Sequence, residues 1–148
     1  MITIRHAVET DLEQIADLFD LYRIFYRQNS DRPAAKLFIQ ERMKNGESEI
    51  IVAEEEGKLL GFTQLYPQFS STRMKRLWIL NDLFVLEIYR GLGIGKALIK
   101  AAQQFARETG SAGLLLETEK INAIGNKLYP SCGFVEYAES NFYWWEKA

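Results

Sequence analysis

The sequence predicts an α/β fold in which helices cover both faces of a mixed sheet. Two observations predict it: strand-like and helical periodicities alternate along the chain, and no linker, repeat or low-complexity stretch interrupts them. The order reads β-α-α-β-β-β-α-β-α-β-β, and parallel neighbours in such a sheet are joined by right-handed crossovers. A chain of 148 residues suits one domain, taken as 1–148, and buries about 68–70% of its unfolded surface.

"ITIRHA" alternates like a strand. In "ETDLEQIADLFDLYRIFYRQ", Thr10 as N-cap with Glu13 three residues on makes a capping box, and Leu12, Ile15, Leu18, Phe19, Tyr22 and Phe25 follow at helical spacing. Asp31–Arg32–Pro33 breaks the chain. "PAAKLFIQERMKNG" is then a second helix, with Pro33 in its first turn and Gly46 as its stop. "EIIVAEEEGKLLGFTQLYPQF" is a strand, an acidic turn at Glu55–Gly57 and a second strand. "KRLWILNDLFVLEIY" is a further strand-like run. Ala97, Leu98, Ala101, Ala102, Phe105 and Ala106 form the stripe of a third helix closed by Gly110. "AGLLLETE" has the continuous apolar character of a buried parallel strand. "NAIGNKLYPSCGF" is a short helix ending in a turn, and "ESNFYWWEK" an aromatic last strand.

Composition narrows the chemistry. The net charge of −2 argues against a nucleic-acid partner, and "RMKR" at 73–76 suits a solvated strand end. Cys132 is the lone cysteine, so neither an internal disulfide nor a cysteine-built metal site can form, and no metal is expected. His6 is equally alone and provides no Ser–His–Asp logic. The start lacks the order of a signal peptide and no apolar run approaches membrane-spanning length. A soluble, cytoplasmic protein without a membrane partner is the expectation.

One stretch stands apart. In "LNDLFVLEIYRGLGIGKALIKAA", Gly91, Gly93 and Gly95 lie between a strand and a helix. A dinucleotide fingerprint needs a third glycine where Lys96 or Leu98 stands, and Glu117 at the distance of a ribose-binding acid cannot replace it. A phosphate-binding P-loop needs a glycine where Arg90 stands and Ser or Thr where Ala97 stands. Two readings remain: a turn that bends strand into helix, or an anion site on the N–H groups of a helix N-terminus beside Arg90 and Lys96.

Arg90, Gly93 and Gly95 have the Arg-x-x-Gly-x-Gly spacing, which resembles the acetyl-CoA pyrophosphate loop of the GNAT superfamily of N-acetyltransferases. Downstream, Asn122, Leu128, Tyr129, Gly133 and Phe134 stand at the spacing of a second GNAT motif, with Gly125 where alanine is usual. The resemblance covers nearly the whole chain. It implies a largely antiparallel sheet of about seven strands with a central splayed parallel pair and four helices covering both faces. "LNDLFV" ahead of the glycines is similar to the subgroup of fungal histone/D-amino-acid and spermidine/spermine-type acetyltransferases. Gly125 costs up to about 1 kcal/mol of helix propensity and keeps the small volume that lets the cofactor pass.

The resemblance implies acetyl-CoA as co-substrate, with its pyrophosphate on the N–H groups of Arg90, Gly91, Leu92, Gly93, Ile94, Gly95 and Lys96. The pantetheine arm would pair with Leu83–Phe84–Val85, and a backbone N–H near Phe84 would face the thioester carbonyl, an effect worth roughly 3 kcal/mol in acyl transfers. Tyr129 is the expected general acid toward the thiolate, since a phenol near pKa 10 suits that task; packing beneath the next strand is its other reading. Asn122 would hydrogen-bond the cofactor, cap the fourth helix, or both. Asp82 and Glu117 are the candidate bases, although a tyrosine or water chain could serve; polyamine-type relatives carry glutamate where Asn81 stands. Alternation places Asn81 and Asp82 on opposite sheet faces. Tyr22, Tyr26 and Trp78 are candidates for an aromatic wall around a cationic amine, with Tyr22 equally suited to the core stripe of its helix. The aromatic carboxyl end suggests a partner surface, and relatives imply a homodimer.

The leading reading is an N-acetyltransferase for a small primary amine: amino acid, diamine or polyamine-like. Transfer to a protein lysine or N-terminus, and a non-catalytic acyl-CoA-binding module, are the alternatives.

Overall fold

A computed structural model describes all 148 residues, Met1–Ala148. The chain divides into two compact units, Met1–Glu117 and Thr118–Ala148.

The first unit is a five-stranded sheet in the order β1-β2-β3-β4-β5: β1 Thr3–His6, β2 Glu49–Glu55, β3 Lys58–Ser70, β4 Lys75–Val85 and β5 Leu114–Leu115. The first four pair antiparallel, and β4 and β5 pair parallel. Three helices belong to this unit: α1 Leu12–Phe25, α2 Arg32–Lys44 and α3 Ile94–Glu108. Strand alternation sends Ile50, Val52, Phe62 and Phe84 into one core with Ile15, Leu18 and Phe19 of α1 and Ala35 and Ile39 of α2. On the opposite face, Ile51 lines one small cavity with Ala101 and Phe105 of α3. Helices therefore cover both faces of this sheet, as the alternating periodicities predict.

The start of α1 departs from expectation. Thr10 does not cap it; Glu9–Asp11 form a 3-10 turn ahead of Leu12. Asp11 accepts the Val8 N–H at 2.8 Å and two bonds from the Arg5 guanidinium at 2.8 and 2.9 Å. A carboxylate with a guanidinium partner outcompetes a hydroxyl cap. At α2, Asp31 is the N-cap, accepting the Ala34 N–H at 3.2 Å. Gly46, at φ 63°, stops that helix as expected.

The sheet has five strands rather than about seven. Leu114–Leu115 is all that "AGLLLETE" contributes, and residues 134–148 hold no strand. The aromatics Phe142, Tyr143, Trp144 and Trp145 are 70–90% exposed. High β-propensity makes a strand only where a neighbouring edge satisfies the backbone groups, and this segment makes no ladder. Consequently the parallel pair is the edge of the sheet, not its centre.

The second unit contains α4, Ala123–Ser131, followed by a turn through Gly133.

Candidate active site

The register between β3 and β4 slips at one place. Leu65 faces Leu80 and Gln64 faces Asp82, so Asn81 is an extra residue in β4, a β-bulge. Its carbonyl accepts a hydrogen bond from the Tyr22 hydroxyl at 3.1 Å, and its side-chain amide donates to Asp82 Oδ1 at 2.8 Å. The opposite-faces expectation for Asn81 and Asp82 is corrected here: the bulge breaks the alternation and joins the two side chains.

Asp82 is 1% exposed and fully partnered. Gln64 Nε2 donates to Oδ2 at 2.5 Å, and the Thr63 hydroxyl donates to the Asp82 carbonyl at 2.8 Å. Ser48 Oγ in turn donates to Gln64 Oε1 at 2.8 Å. Burial pushes the Asp82 carboxyl above the ordinary carboxylate range, and hydrogen bonds from Asn81, Gln64 and Tyr22 partly offset that rise. Tyr66, half-buried on the same face, is pushed far up by burial and by the neighbouring Asp82 charge, so its phenol stays protonated. A buried carboxyl with a raised pKa is a stronger proton acceptor than an ordinary carboxylate.

Beyond the bulge, Leu86 N–H bonds the Leu60 carbonyl at 2.9 Å, and Arg90 Nε donates to the Val85 carbonyl at 2.8 Å. Alternation then turns the backbone groups of Phe84 toward β3 and those of Leu83 and Val85 toward the other edge. Along that edge β5 pairs only with Trp78 and Ile79. The Arg90 guanidinium lies 5.2 Å from the Phe84 ring centre and 5.6 Å from that of Phe25.

The glycine loop follows. Gly91 and Gly93 have φ of 81° and 83°, a left-handed conformation that a side chain resists, and Gly93 is the N-cap of α3. A Cβ on either would meet nothing within 4 Å, so the space before the helix is open. No side chain caps α3, and the first-turn N–H groups, including Ile94, Gly95 and Lys96, have no intrahelical carbonyl to bond. Leu92 is 64% exposed beside them. Such a terminus, free of carboxylates in its first turn, fits an anionic pyrophosphate.

In the second unit, Asn122 caps α4: Oδ1 accepts the Gly125 N–H at 3.0 Å while Nδ2 donates to Thr118 Oγ1 at 2.9 Å. A Cβ on Gly125 would lie 2.5 Å from Asn122 Nδ2. The glycine thus makes room for the cap. The Tyr129 ring meets Phe134 edge-on at 5.9 Å.

The expected aromatic wall divides. Tyr22 and Tyr26 are in contact, with ring centres 5.0 Å apart, and Phe25 lies 5.2 Å from Tyr26. Trp78 lies on the α3 face, 4.9 Å from Phe105, and its indole donates to Thr109 Oγ1 at 2.9 Å. The bulge sits between Trp78 and Asp82 and sets them on different faces. Glu117 is exposed, two residues past β5. Sequence reasoning passes over Ser48, Thr63, Gln64 and Tyr66. The available signal is the polar pair Thr63–Gln64 inside the otherwise mostly apolar "LLGFTQLY".

A model of the acetyltransferase (GNAT) family matches residues 15–134. The chain belongs to that family. This GNAT chain is 47% identical over 135 residues to an uncharacterised N-acetyltransferase, YhfO, of Bacillus subtilis (strain 168), covering 91% of each. It is 31% identical over 140 residues to an N-alpha-acetyltransferase of Sulfurisphaera tokodaii, covering 90% of this chain and 80% of that one. The crystal structure of a probable acetyltransferase superposes with a TM-score of 0.93 at 38% identity, covering 99% of this chain and 98% of the other. The GNAT protein described here is an N-acetyltransferase, and enzymes of this family draw the acetyl group from acetyl-CoA.

Proposed function

We propose that this GNAT enzyme acetylates the primary amine of a small cationic molecule (an amino acid, diamine or polyamine-like compound), and that one acetyltransferase domain, 1–148, performs the reaction. The observation that carries this reading is the buried Asp82 carboxyl at the Asn81 bulge, bonded on its α1 side by Tyr22. A carboxylate bonded by Tyr22, whose ring meets that of Tyr26 at 5.0 Å, suits an ammonium by charge and by cation–π attraction. The likeness of "LNDLFV" to the subgroup with polyamine and D-amino-acid substrates supports the same acceptor class.

Acetyl-CoA supplies an activated thioester carbonyl. The N–H groups from Gly91 to Lys96 receive its pyrophosphate, whereas the Arg90 N–H, expected among them, is bonded to the Glu87 carbonyl at 3.2 Å. The outward backbone groups of Leu83 and Val85 pair with the pantetheine amides. An edge N–H, from Leu83 or Val85 rather than Phe84, serves as the oxyanion donor. Asp82 takes the proton that the ammonium must lose; Asn81 orients it and Trp78 supports β4 from behind. Glu117 and a water chain are the alternative acceptors of that proton. Tyr129 donates to the departing thiolate, and Asn122, while capping α4, bonds the cofactor.

A protein N-terminus is the second acceptor reading, favoured by the likeness to the Sulfurisphaera tokodaii enzyme. A panel of small amines and N-terminal peptides, assayed by release of free thiol from acetyl-CoA, decides between them. Turnover of diamines or amino acids above peptides is expected; peptides alone would overturn the small-amine reading. If no acceptor is turned over while acetyl-CoA still raises Tm, the chain is an acyl-CoA-binding module.

A further inference from the structure

We propose that Gln64 is a positioning residue for the Asp82 carboxylate, held by Ser48 in the one amide orientation that serves it. The inference rests on the reading of Asp82 as the base.

The geometry is directional. A primary amide presents an acceptor oxygen on one side and two donor hydrogens on the other. Ser48 Oγ donates to Gln64 Oε1 at 2.8 Å, so Nε2 must face the carboxylate, which it meets at 2.5 Å. A flipped amide would set Oε1 against the Asp82 oxygen, acceptor against acceptor, and would orphan the Ser48 hydroxyl. Gln64 is 0% exposed, so no solvent replaces a lost bond. With Asn81 Nδ2 on the other oxygen, the two amides fix the carboxylate plane from both ends.

The pair also sets charge. Donors to a buried carboxylate favour its ionised form against desolvation. The other polar or charged groups facing this cluster are Tyr22 from α1 and Tyr66 from β3, with Arg42 of α2 acting on Tyr66. Tyr66 also shares a side-chain hydrogen bond with Gln64, and Ser48, the residue before β2, is the donor that meets its Oε1.

The test follows the Asp82 ionisation directly, by carboxyl-carbon NMR of the full chain, alongside the pH dependence of kcat/KM. Gln64→Leu removes a donor to a charged acceptor and moves both the Asp82 titration and the acidic limb of the profile up by about one to two pH units. Ser48→Ala frees the amide to flip and moves both in the same direction by less. Ser48→Thr, which keeps the hydroxyl, restores the native profile. Ser48 is half-buried, so its variants fold even if Gln64→Leu does not.

Asp82→Asn separates the two readings. If Asp82→Asn keeps full kcat, the base reading fails and the positioning role falls with it. If Asp82→Asn is inactive and neither Gln64→Leu nor Ser48→Ala shifts the titration or the acidic limb, the base reading stands and the positioning role is overturned.

Discussion

Asn81 and Asp82, neighbours in one strand, share a hydrogen bond of 2.8 Å between their side chains. A regular strand forbids this, because successive side chains point to opposite faces. One inserted residue re-aims a side chain at the place where GNAT chemistry is proposed, a use to which bulges are often put.

The buried carboxyl has a pH signature in stability. Burial raises its folded pKa, so the folded chain holds the proton more tightly than the unfolded chain. Its contribution is complete below the ordinary carboxylate value, about 4, and is lost as pH rises through the folded value. Asp82→Asn imitates the protonated acid at every pH. The Tm difference between variant and native chain is therefore small at about pH 4 and widens in the variant's favour toward about pH 8. A difference that stays constant over that range contradicts the raised value.

Gly93→Ala tests the loop at the start of α3. With φ at 83°, an alanine there costs about 1–2 kcal/mol of backbone strain. Gly46→Ala, at φ 63°, costs a similar amount and is the control. Both variants lower Tm, but only Gly93→Ala raises the KM for acetyl-CoA. Equal KM values would remove the loop from cofactor binding.

Asn122 and Gly125 form a coupled pair suited to a double-mutant cycle. Asn122→Ala removes a helix cap, costing about 0.5–2 kcal/mol. Gly125→Ala adds up to about 1 kcal/mol of helix propensity, yet its Cβ displaces the capping amide 2.5 Å away. The alanine is thus stabilising in the Asn122→Ala background and neutral or destabilising in the native one. Additive changes, measured by denaturant unfolding, would show that the cap does not need the glycine.

Tyr129→Phe keeps the ring contact with Phe134 and removes the hydroxyl. The expected result is a fall in kcat of about 100-fold or more, with the Tm shift caused by acetyl-CoA retained. An unchanged kcat at every pH would return Tyr129 to a packing role.

The sequence by itself determined the local elements and the family. Helical stripes place α1 and α3, Pro33 and Gly46 bound α2, and two motifs far apart in the chain identify a GNAT acetyltransferase. These features depend on short-range periodicity and on residue types whose chemistry is fixed, and both can be read along a line. What only the tertiary structure decided depends on partners distant in sequence. Arg5, which ties Asp11 at the start of α1, is itself held by Glu54 of β2, and the aromatic carboxyl end forms no strand because it has no ladder. Trp78 parts from Tyr22 and Asn81 joins Asp82 because a single bulge reverses the facing of β4. Strand register comes from the pairing of two strands and is not a property of either sequence alone. For that reason the proposed cofactor loop is legible in the chain, while the Ser48–Gln64–Asp82 cluster appears only once β3 and β4 are side by side.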